Sequence, residues 1–430
     1  MRFPAKIRAM ARTFDCDVVV VGAGVAGLTA ARGLAESGLS VVLLEAAERV
    51  GGRVHTVRLA GSDFPVEAGA EFVHGRPPEM FALAEEAGLT LVERQGKFYS
   101  FENGRLGEAE WEDSAFEVLD KLPEEGDQPF ADFLAGQKLL EKTAKRVTDY
   151  VEGFNAADAR VIGTAALRKQ RRVEEAIEGE RIFHVLEGYD HVPLFLLDRF
   201  LATGGRAHLK TPVTEIAWKR GEALVRTANA AVAEIRARRV VIAVPLGVLK
   251  AGTVTITPMP EKAAEAIRKL AMGAATRITM VFRERFWEEV APGLSILFTA
   301  GEAVPVWWSP AERSAVLTGW IGGPRAAQGP TGEVLRDAGL ATLGKIFGWE
   351  DLAALLLDWN SHDWQRDPLS LGAYSYVPAG ALEASNALAA PCDNTLYFCG
   401  EHTDTTGQWG TVHAAMQSGM RVRQLLASSF

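Results

Sequence analysis

The sequence predicts an α/β fold at its N-terminal end, because three elements of the right kind follow one another. Residues 17–21 (Asp-Val-Val-Val-Val) form a β-branched run typical of a buried parallel strand. A glycine-rich turn comes next, and residues 28–37, rich in Ala and Leu, read as a helix. A second apolar run over 40–44 ends in Glu45. Strand, glycine turn, helix, strand and acid within about thirty residues indicate a Rossmann-like dinucleotide-binding unit.

Each residue of this unit has a physical task. Gly22 permits the tight turn, Gly24 lets the backbone approach a pyrophosphate, and Gly27 lets the helix pack closely on the strand. The helix N-terminus offers free N–H groups and the positive end of its dipole to phosphates. Glu45 lies 23 positions after Gly22, where a carboxylate can accept ribose hydroxyls. A purely structural glycine turn is the alternative, and the turn alone does not separate NAD from FAD.

Composition places the chain among ordinary folded proteins. Its 430 residues are 48 % apolar and 23 % charged, which excludes a disordered chain and suggests two or three domains. The cysteines are Cys16, Cys392 and Cys399, without a CxxC pair. Sparse cysteine excludes a disulfide scaffold and suits a reducing compartment, so we expect a cytoplasmic protein.

The net charge of −9 is concentrated in one stretch. Residues 106–137 carry ten acidic residues and one basic residue, so the rest of the chain is neutral. Without a broad basic face, nucleic acid is not an expected partner. The stretch is either a solvated acidic face or a strip beside an entrance that attracts cationic substrates.

Two further features bear on location. Residues 1–12 hold four bases and no acid and lack the apolar core of a secretory signal; we interpret them as a basic leader, with a transit peptide as the alternative. The uncharged run 18–31 is shorter than the roughly 20 residues of a membrane-spanning helix, so no membrane segment is expected.

Several stretches together resemble the flavin-containing amine oxidase family, which includes monoamine oxidases, polyamine oxidases, L-amino-acid oxidases and the lysine-specific histone demethylase. The segment after the second strand, 45–56, carries the paired Gly51-Gly52 and then Arg53, as in two-domain FAD oxidases. The other stretches that carry the resemblance are 66–75 (VEAGAEFVHG), 239–249 (RVVIAVPLGVL), 397–403 (YFCGEHT) and 410–419 (GTVHAAMQSG).

The resemblance implies a discontinuous Rossmann-like FAD-binding domain interleaved with a substrate-binding domain of mixed sheet and helices. The FAD-binding domain would comprise 13–75, 179–260 and 391–426, and the substrate-binding domain 76–178 and 261–390. Within the latter we predict a helical region over 131–150, strands over 276–282, 295–299 and 315–321, and a helix over 332–347.

The resemblance also implies FAD as the cofactor. Ala373 stands where monoamine oxidases have the cysteine that tethers FAD, so we predict non-covalent binding. No His, Cys or carboxylate set has metal-ligand spacing, so no metal is expected. The positions that match the family's cofactor contacts are Gly22, Gly24, Gly27, Glu45, Ala46, Gly52, Arg53, Gly69, Ala70, Glu71, Phe72, Val213, Trp364, Gly400, Glu401, Thr411, Val412 and Ala415.

Four further matches concern the substrate side. Tyr374 resembles the family's flavin-facing tyrosine, and Thr411 matches the opposite wall, where monoamine oxidases carry a second tyrosine. Trp364 resembles a tryptophan beside the flavin. His74 matches a histidine that touches substrate in some polyamine oxidases and, with a pKa near neutral, could sense substrate charge. Tyr374, Trp364 and His74 each have a plain structural role as the alternative.

One position departs from the family. Where the family has a lysine that holds a water at the flavin and assists the reaction with oxygen, this chain has Arg277. Arginine keeps the charge but is larger, planar and not titratable. Arg277 could do the same work, mark a different electron acceptor, or grip a substrate carboxylate in a bidentate manner.

The leading hypothesis is therefore an FAD-dependent amine oxidase. Hydride transfer from the carbon beside the amine nitrogen to the flavin gives an imine, then an aldehyde or ketone, with hydrogen peroxide. The expected partners are a small-molecule amine and oxygen, and the expected state is a monomer or homodimer. The alternatives are a dehydrogenase or desaturase with another acceptor, and a flavin-bound sensor without turnover.

Overall fold

The computed structural model describes residues 14–109, 117–299, 301–309 and 314–427. The basic leader over 1–12 lies outside the described residues, as do Glu110, Glu112 and Asp113 of the acidic stretch. The described strands are β1 (Cys16–Val21), β2 (Val41–Leu44), β3 (Thr56–Val57), β4 (Val66–Glu67), β5 (Val73–His74), β6 (Leu91–Glu93), β7 (Lys97–Glu102), β8 (Arg105–Ala109), β9 (Ile182–Val185), β10 (Arg206–His208), β11 (Val213–Lys219), β12 (Glu222–Thr227), β13 (Glu234–Ile242), β14 (Thr255–Thr257), β15 (Ala271–Met272), β16 (Ala275–Phe282), β17 (Leu294–Thr299), β18 (Val306–Trp308), β19 (Val316–Gly322), β20 (Leu356–Asp363), β21 (Ser375–Tyr376) and β22 (Leu396–Phe398).

Helices cover both sheets. The named helices are α1 (Val25–Glu36), α2 (Pro78–Ala87), α3 (Phe130–Ala135), α4 (Glu141–Asn155), α5 (Thr164–Ala176), α6 (His191–Ala202), α7 (Leu246–Ala251), α8 (Glu261–Lys269), α9 (Pro324–Gln328), α10 (Gly332–Phe347), α11 (Ala384–Ala389) and α12 (Val412–Ala427).

The first large sheet is the dinucleotide-binding one. Its strand order is β10-β2-β1-β13-β12-β11-β14, with β22 also paired to β13. At its centre β1 runs parallel to both β2 and β13, with Val18 beside Val41 and Arg239. The strands β1 and β2 are almost wholly buried, which explains their unbroken runs of Val and Leu.

The second large sheet has the order β20-β16-β19-β18-β17-β7-β8 and is mostly antiparallel. Its strands come from residues 97–109 and 275–363, whereas the first sheet uses 16–44, 206–257 and 396–398. The predicted combination of a Rossmann-like α/β part with an interleaved mixed part is confirmed. The domain boundaries remain a prediction.

Most predicted elements of the second part are confirmed, with small shifts at their ends. The strands appear as β16, β17 and β19, and the helix over 332–347 is α10. The region over 131–150 is mainly helical, as predicted, but the chain leaves the helix between α3 and α4. Gly136 ends α3, and Leu140 is extended and 79 % exposed, so no apolar contact holds this stretch helical.

Close packing of α12 on α1 brings the end of the chain to the glycine turn. A Cβ on Gly419 of α12 would lie 2.5 Å from the carbonyl oxygen of Ala26 in α1. Only glycine allows this approach, so the middle of α12 packs against the first turns of α1. Within the described residues, no helix combines the length and apolar character that a membrane crossing requires.

The glycine turn offers a direct test of this fold. Gly27→Ala would place a methyl group against the carbonyl of Gly22. We expect the free energy of unfolding to fall by about 1–3 kcal/mol, the usual cost of overpacking. Urea denaturation of the cofactor-free protein measures it. Gly107→Ala, at a position with open space around it, is the control; equal stability of Gly27→Ala and the control would refute the packing role.

Candidate active site

A cavity of about 1120 Å³ lies where the two large sheets meet. It begins at the carboxyl ends of β1 and β2, the edge at which open α/β sheets bind ligands, and reaches the inner face of the second sheet. Its volume exceeds that of most pockets for small ligands, which is consistent with an elongated dinucleotide plus a substrate.

Nearly all predicted cofactor positions line this cavity. The exception is Gly27, which packs behind the turn against Gly22, in keeping with its packing task. The predicted positions that line the cavity are Gly22, Gly24, Glu45, Ala46, Gly52, Arg53, Gly69, Ala70, Glu71, Phe72, Val213, Trp364, Gly400, Glu401, Thr411, Val412 and Ala415.

The glycine turn fits a dinucleotide on its own geometry. Gly22 has φ +103°, and a Cβ there would lie 2.9 Å from the carbonyl oxygen of Ala243. No side chain caps the N-terminus of α1, where Gly24 has an extended backbone, so the first N–H groups of α1 are available to phosphate oxygens. These features form a backbone cradle that a side chain would fill.

Glu45 holds the turn in place. Its Oε2 accepts from the backbone N–H of Ala23 (2.6 Å) and its Oε1 from that of Ala47 (2.8 Å). Burial raises the pKa of Glu45, although these hydrogen bonds oppose the rise. A carboxylate fixed in this way faces the cavity with lone pairs that can accept hydroxyl groups.

A buried ion pair lies in the middle of the cavity wall. Nη1 of Arg53 donates to Glu401 Oε1 (2.7 Å) and to the carbonyl of Ala373 (2.9 Å). Glu401 also accepts from the N–H and hydroxyl of Ser375 and the N–H of Gly410. Burial opposes ionisation of Glu401, yet the Arg53 charge and these hydrogen bonds hold its pKa below the ordinary value.

The far end of the cavity is aromatic. The ring of Tyr374 is parallel to that of Trp320, with centroids 6.4 Å apart. The Tyr374 hydroxyl donates to the carbonyl of Phe154 (2.6 Å), and burial raises its pKa, so it stays protonated. Trp364 donates to the carbonyl of Ala68 (3.1 Å) and packs against Gly69. The sequence matched the wall opposite Tyr374 to Thr411, but the aromatic ring that stacks with Tyr374 is that of Trp320.

Thr411 and His74 both line the cavity. The Thr411 hydroxyl donates to the carbonyl of Gln408 (2.8 Å) and accepts from the N–H of Ala414 (3.1 Å), so it caps the start of α12. His74 lies edge-on to Phe72 and Phe154. Burial lowers the pKa of His74 to about 4, so the expectation of a near-neutral, charge-sensing histidine is wrong.

Arg277 is 4 % exposed and fully engaged with protein groups at its end. Nη2 donates to Glu71 Oε2 and Nη1 to the carbonyl of Gly69 (3.2 Å). The Trp308 indole donates to both Glu71 oxygens (3.1 Å each), and the Arg277 guanidinium lies 5.2 Å from the Trp308 ring centre. Because Glu71 neutralises it, Arg277 is not available to a substrate carboxylate, which removes that alternative.

Carboxylates line the cavity, but not those of the acidic stretch. Among its described members, Glu108 pairs with Lys97 and Glu124 with Arg172, and no described acid of 106–137 lines the cavity. The acidic residues that line it outside the cofactor-matched positions are Glu102, Asp149, Glu152, Glu174 and Asp367. Burial raises the pKa of both Glu152 and Glu174. In the described part of the chain, no group of His, Cys, Asp or Glu could hold a metal ion.

Sequence reasoning missed Trp308, Trp320 and Phe154. Trp320 lies opposite Arg277 in the pairing of β16 with β19. Both strands were predicted, so their pairing register was the missing information. Phe154 lies in the last turn of α4, and no local sequence motif marks it as a cavity residue.

The fold and this cavity define a flavin-dependent oxidoreductase. A family model described as flavin containing amine oxidoreductase matches residues 25–426, so the chain belongs to that family. It is 30 % identical to polyamine oxidase 3 of Oryza sativa subsp. japonica, over 94 % of this chain and 87 % of that protein. It is 26 % identical to human lysine-specific histone demethylase 2, over 96 % of this chain and 53 % of that one.

Solved structures share the fold. Putrescine oxidase with bound putrescine superposes with a TM-score of 0.81 at 21 % identity, covering 95 % of this chain and 98 % of that one. Cyclohexylamine oxidase from Brevibacterium oxydans IH-35A also gives 0.81, at 22 % identity, with 96 % and 99 % covered. The predicted family and FAD cofactor are confirmed, and the protein is an FAD-dependent amine oxidase.

The Arg53–Glu401 pair supports a stability test. Glu401→Gln leaves Arg53 without its anion, and losing one partner of a buried pair costs about 3–5 kcal/mol. Because the pKa of Glu401 is lowered, its contribution is present at neutral pH and lost as the pH falls below its ordinary range. Chemical denaturation of the cofactor-free protein should show this loss at pH 7 and a smaller one in acid. Glu124→Gln, which breaks an exposed pair, should change little; similar losses in both variants would contradict the assignment.

Proposed function

We propose that this protein oxidises a small, cationic amine with oxygen, giving an imine and hydrogen peroxide, and that the large cavity holds FAD and substrate end to end. The observation that carries this proposal is the continuity of one cavity from the glycine turn to the Tyr374–Trp320 pair. When bound, FAD supplies the acceptor for the hydride that leaves the carbon beside the amine nitrogen.

The chain's own residues would hold the cofactor along this path. The backbone at Gly22 and Gly24 and the start of α1 would bind the pyrophosphate, and Glu45 the adenosine ribose. Val213 would contact the adenine. Arg53, whose hydrogen bonds to protein run through Nη1, would present its other nitrogens to phosphate. The segment from Gly69 to Phe72 would lie along the ring system, with Trp364 behind it.

The aromatic end would receive the amine. Tyr374 and Trp320 exclude water and favour the neutral amine, the form that gives up a hydride. Glu152 and Glu174 line the same cavity and would bind a second positive charge of the substrate. Relatives named polyamine oxidases support a di- or polyamine as the substrate class.

A cytoplasmic monomer or homodimer remains our expectation; the free Cys16, Cys392 and Cys399 support a reducing compartment.

A panel of amines tests the function and the substrate class. Purified holoenzyme should lose its flavin absorbance on anaerobic mixing with an amine and form peroxide in air. We expect kcat/KM for diamines and polyamines to exceed that for monoamines of equal length by at least about tenfold, because the second ammonium group would form an ion pair with a cavity carboxylate. Bleaching without peroxide would assign another acceptor, and absence of bleaching with every amine would refute the proposal.

Acid precipitation tests the mode of cofactor binding. Because Ala373 offers no sulfur for a tether, the flavin should remain in the supernatant and the pellet should be colourless. A yellow pellet would show a covalent bond. Mass spectrometry of the unfolded chain, which should equal the sequence mass, is the independent control.

Arg277 variants test the role of the charge beside Glu71. Arg277→Lys keeps a cation, whereas Arg277→Met leaves Glu71 buried without one. We expect Arg277→Met to slow reoxidation of the reduced enzyme at least about tenfold while reduction by amine changes less, and Arg277→Lys to keep most of the rate. Stopped-flow absorbance separates the two half-reactions. Equal reoxidation in both variants and the parent would exclude Arg277 from the oxygen reaction.

A further inference from the structure

A second, small cavity lies directly behind the large one. Its volume is about 30 Å³, enough for a water molecule, which needs roughly 10–15 Å³. The polar residues that line it are Glu67, Glu71, His184, Arg277 and Thr318. Glu71 and Arg277 also line the large cavity, so this ion pair is the wall between the two.

The wall contains a buried donor that lacks an acceptor. Nε of Arg277 is fully buried and has no hydrogen-bond partner among the described residues, although Nη1 and Nη2 are both engaged. A buried guanidinium N–H without an acceptor is costly, and a water in the small cavity would satisfy it.

Glu67 is the group on this path that can exchange protons near neutral pH. It is 8 % exposed, accepts from the Thr56 hydroxyl (2.6 Å) and the N–H of Tyr189 (2.9 Å), and lines the small cavity. Burial raises the pKa of Glu67 to about 7; the two hydrogen bonds oppose the rise, Glu71 adds to it, and Arg277 opposes it.

The outer side of the small cavity leads to solvent. Leu186, one of its lining residues, is 40 % exposed, and His184 is half-buried. Burial lowers the pKa of His184, and Arg94 acts in the same direction while Glu71 opposes it, so the ring is neutral at pH 7. A neutral imidazole can accept a proton at one nitrogen and donate at the other.

The reaction needs such a path. Oxidation of a neutral amine to an imine releases two electrons and two protons, and reduction of dioxygen to hydrogen peroxide takes up two of each. The hydride would carry both electrons and one proton to the flavin, but the other proton, released at the product nitrogen, and the further proton taken up at oxygen must be exchanged with solvent. The aromatic walls that keep the substrate dry restrict that exchange on the substrate side.

We propose that Glu67, His184 and a water bound to Arg277 Nε form a proton path from the surface to the Glu71–Arg277 wall of the active-site cavity. It rests on the proposed function in that the large cavity holds the flavin and oxygen is the electron acceptor. In this path Glu67 gives its proton to the water on the Arg277 side and is reprotonated from solvent by way of His184. In each turnover, one proton moves inward along this path for the formation of hydrogen peroxide, and one proton is released with the imine.

The test uses holoenzyme whose flavin has been reduced with dithionite, so that no amine is required. We expect the rate of reoxidation by oxygen to fall as the pH rises through the titration of Glu67. Glu67→Gln, which keeps the shape and most hydrogen bonds, should lower the rate about tenfold at pH 6 and flatten this profile. Glu67→Asp, which remains titratable, should restore a sloping profile.

Matched variants separate a proton path from a structural effect. Glu79→Gln removes a half-buried carboxyl that also has a raised pKa but lines neither cavity, and it should leave the profile unchanged. His184→Asn, at a half-buried position, should slow reoxidation without loss of folding. An unchanged profile in Glu67→Gln, or an equal change in Glu79→Gln, would overturn the path.

A second readout does not depend on turnover. Infrared spectra of the protein should show a protonated carboxyl band that titrates near neutral pH, is lost in Glu67→Gln and is kept in Glu79→Gln. Absence of that band would overturn the role of Glu67. If the protein bound no flavin, the proposed function would fail, but the titration would still show whether Glu67 exchanges a proton near neutral pH.

Discussion

One buried carboxylate, Glu401, joins the segments that surround the active-site cavity. Its partners are Arg53 after the paired glycines, Ser375 beside the aromatic wall, and Gly410 before the last helix. These groups come from the beginning, the late middle and the end of the chain. Because a buried carboxylate without hydrogen bonds is costly, these contacts favour the arrangement in which the three segments meet at the cavity.

The parts that could be predicted from the sequence are those encoded by neighbouring residues. The turn at Gly22 and Gly24, helix α1 and helix α10 each depend on local spacing and composition, and the structure has them where expected. The break between α3 and α4 was missed because a 3.6-residue apolar pattern continues across Gly136, while exposure of Leu140 depends on what the rest of the fold leaves uncovered.

The residues of the candidate site also fall into those that a local motif marks and those that only the tertiary structure places there. Tyr374 and Trp364 could be selected because short motifs surround them. Trp320 and Trp308 could not, since their positions depend on strand register between segments far apart in the chain, with Arg277 facing Trp320 across β16 and β19. The misjudged pKa of His74 has a related cause, because its burial by Phe72 and Phe154 arises only when distant segments pack together.

The same reasoning explains how an arginine occupies a position where the family has a lysine. A lysine ammonium can be satisfied by water and small adjustments, whereas a guanidinium needs several acceptors in one plane. Glu71 and the carbonyl of Gly69 supply them, and the Trp308 indole fixes Glu71 from the other side. The arginine therefore has two consequences: Glu71 neutralises its charge beside the cavity, and its buried Nε is left without a hydrogen-bond partner among the described residues. Arg277 lines both cavities, and its guanidinium can donate from three nitrogens, whereas a lysine ammonium donates from one.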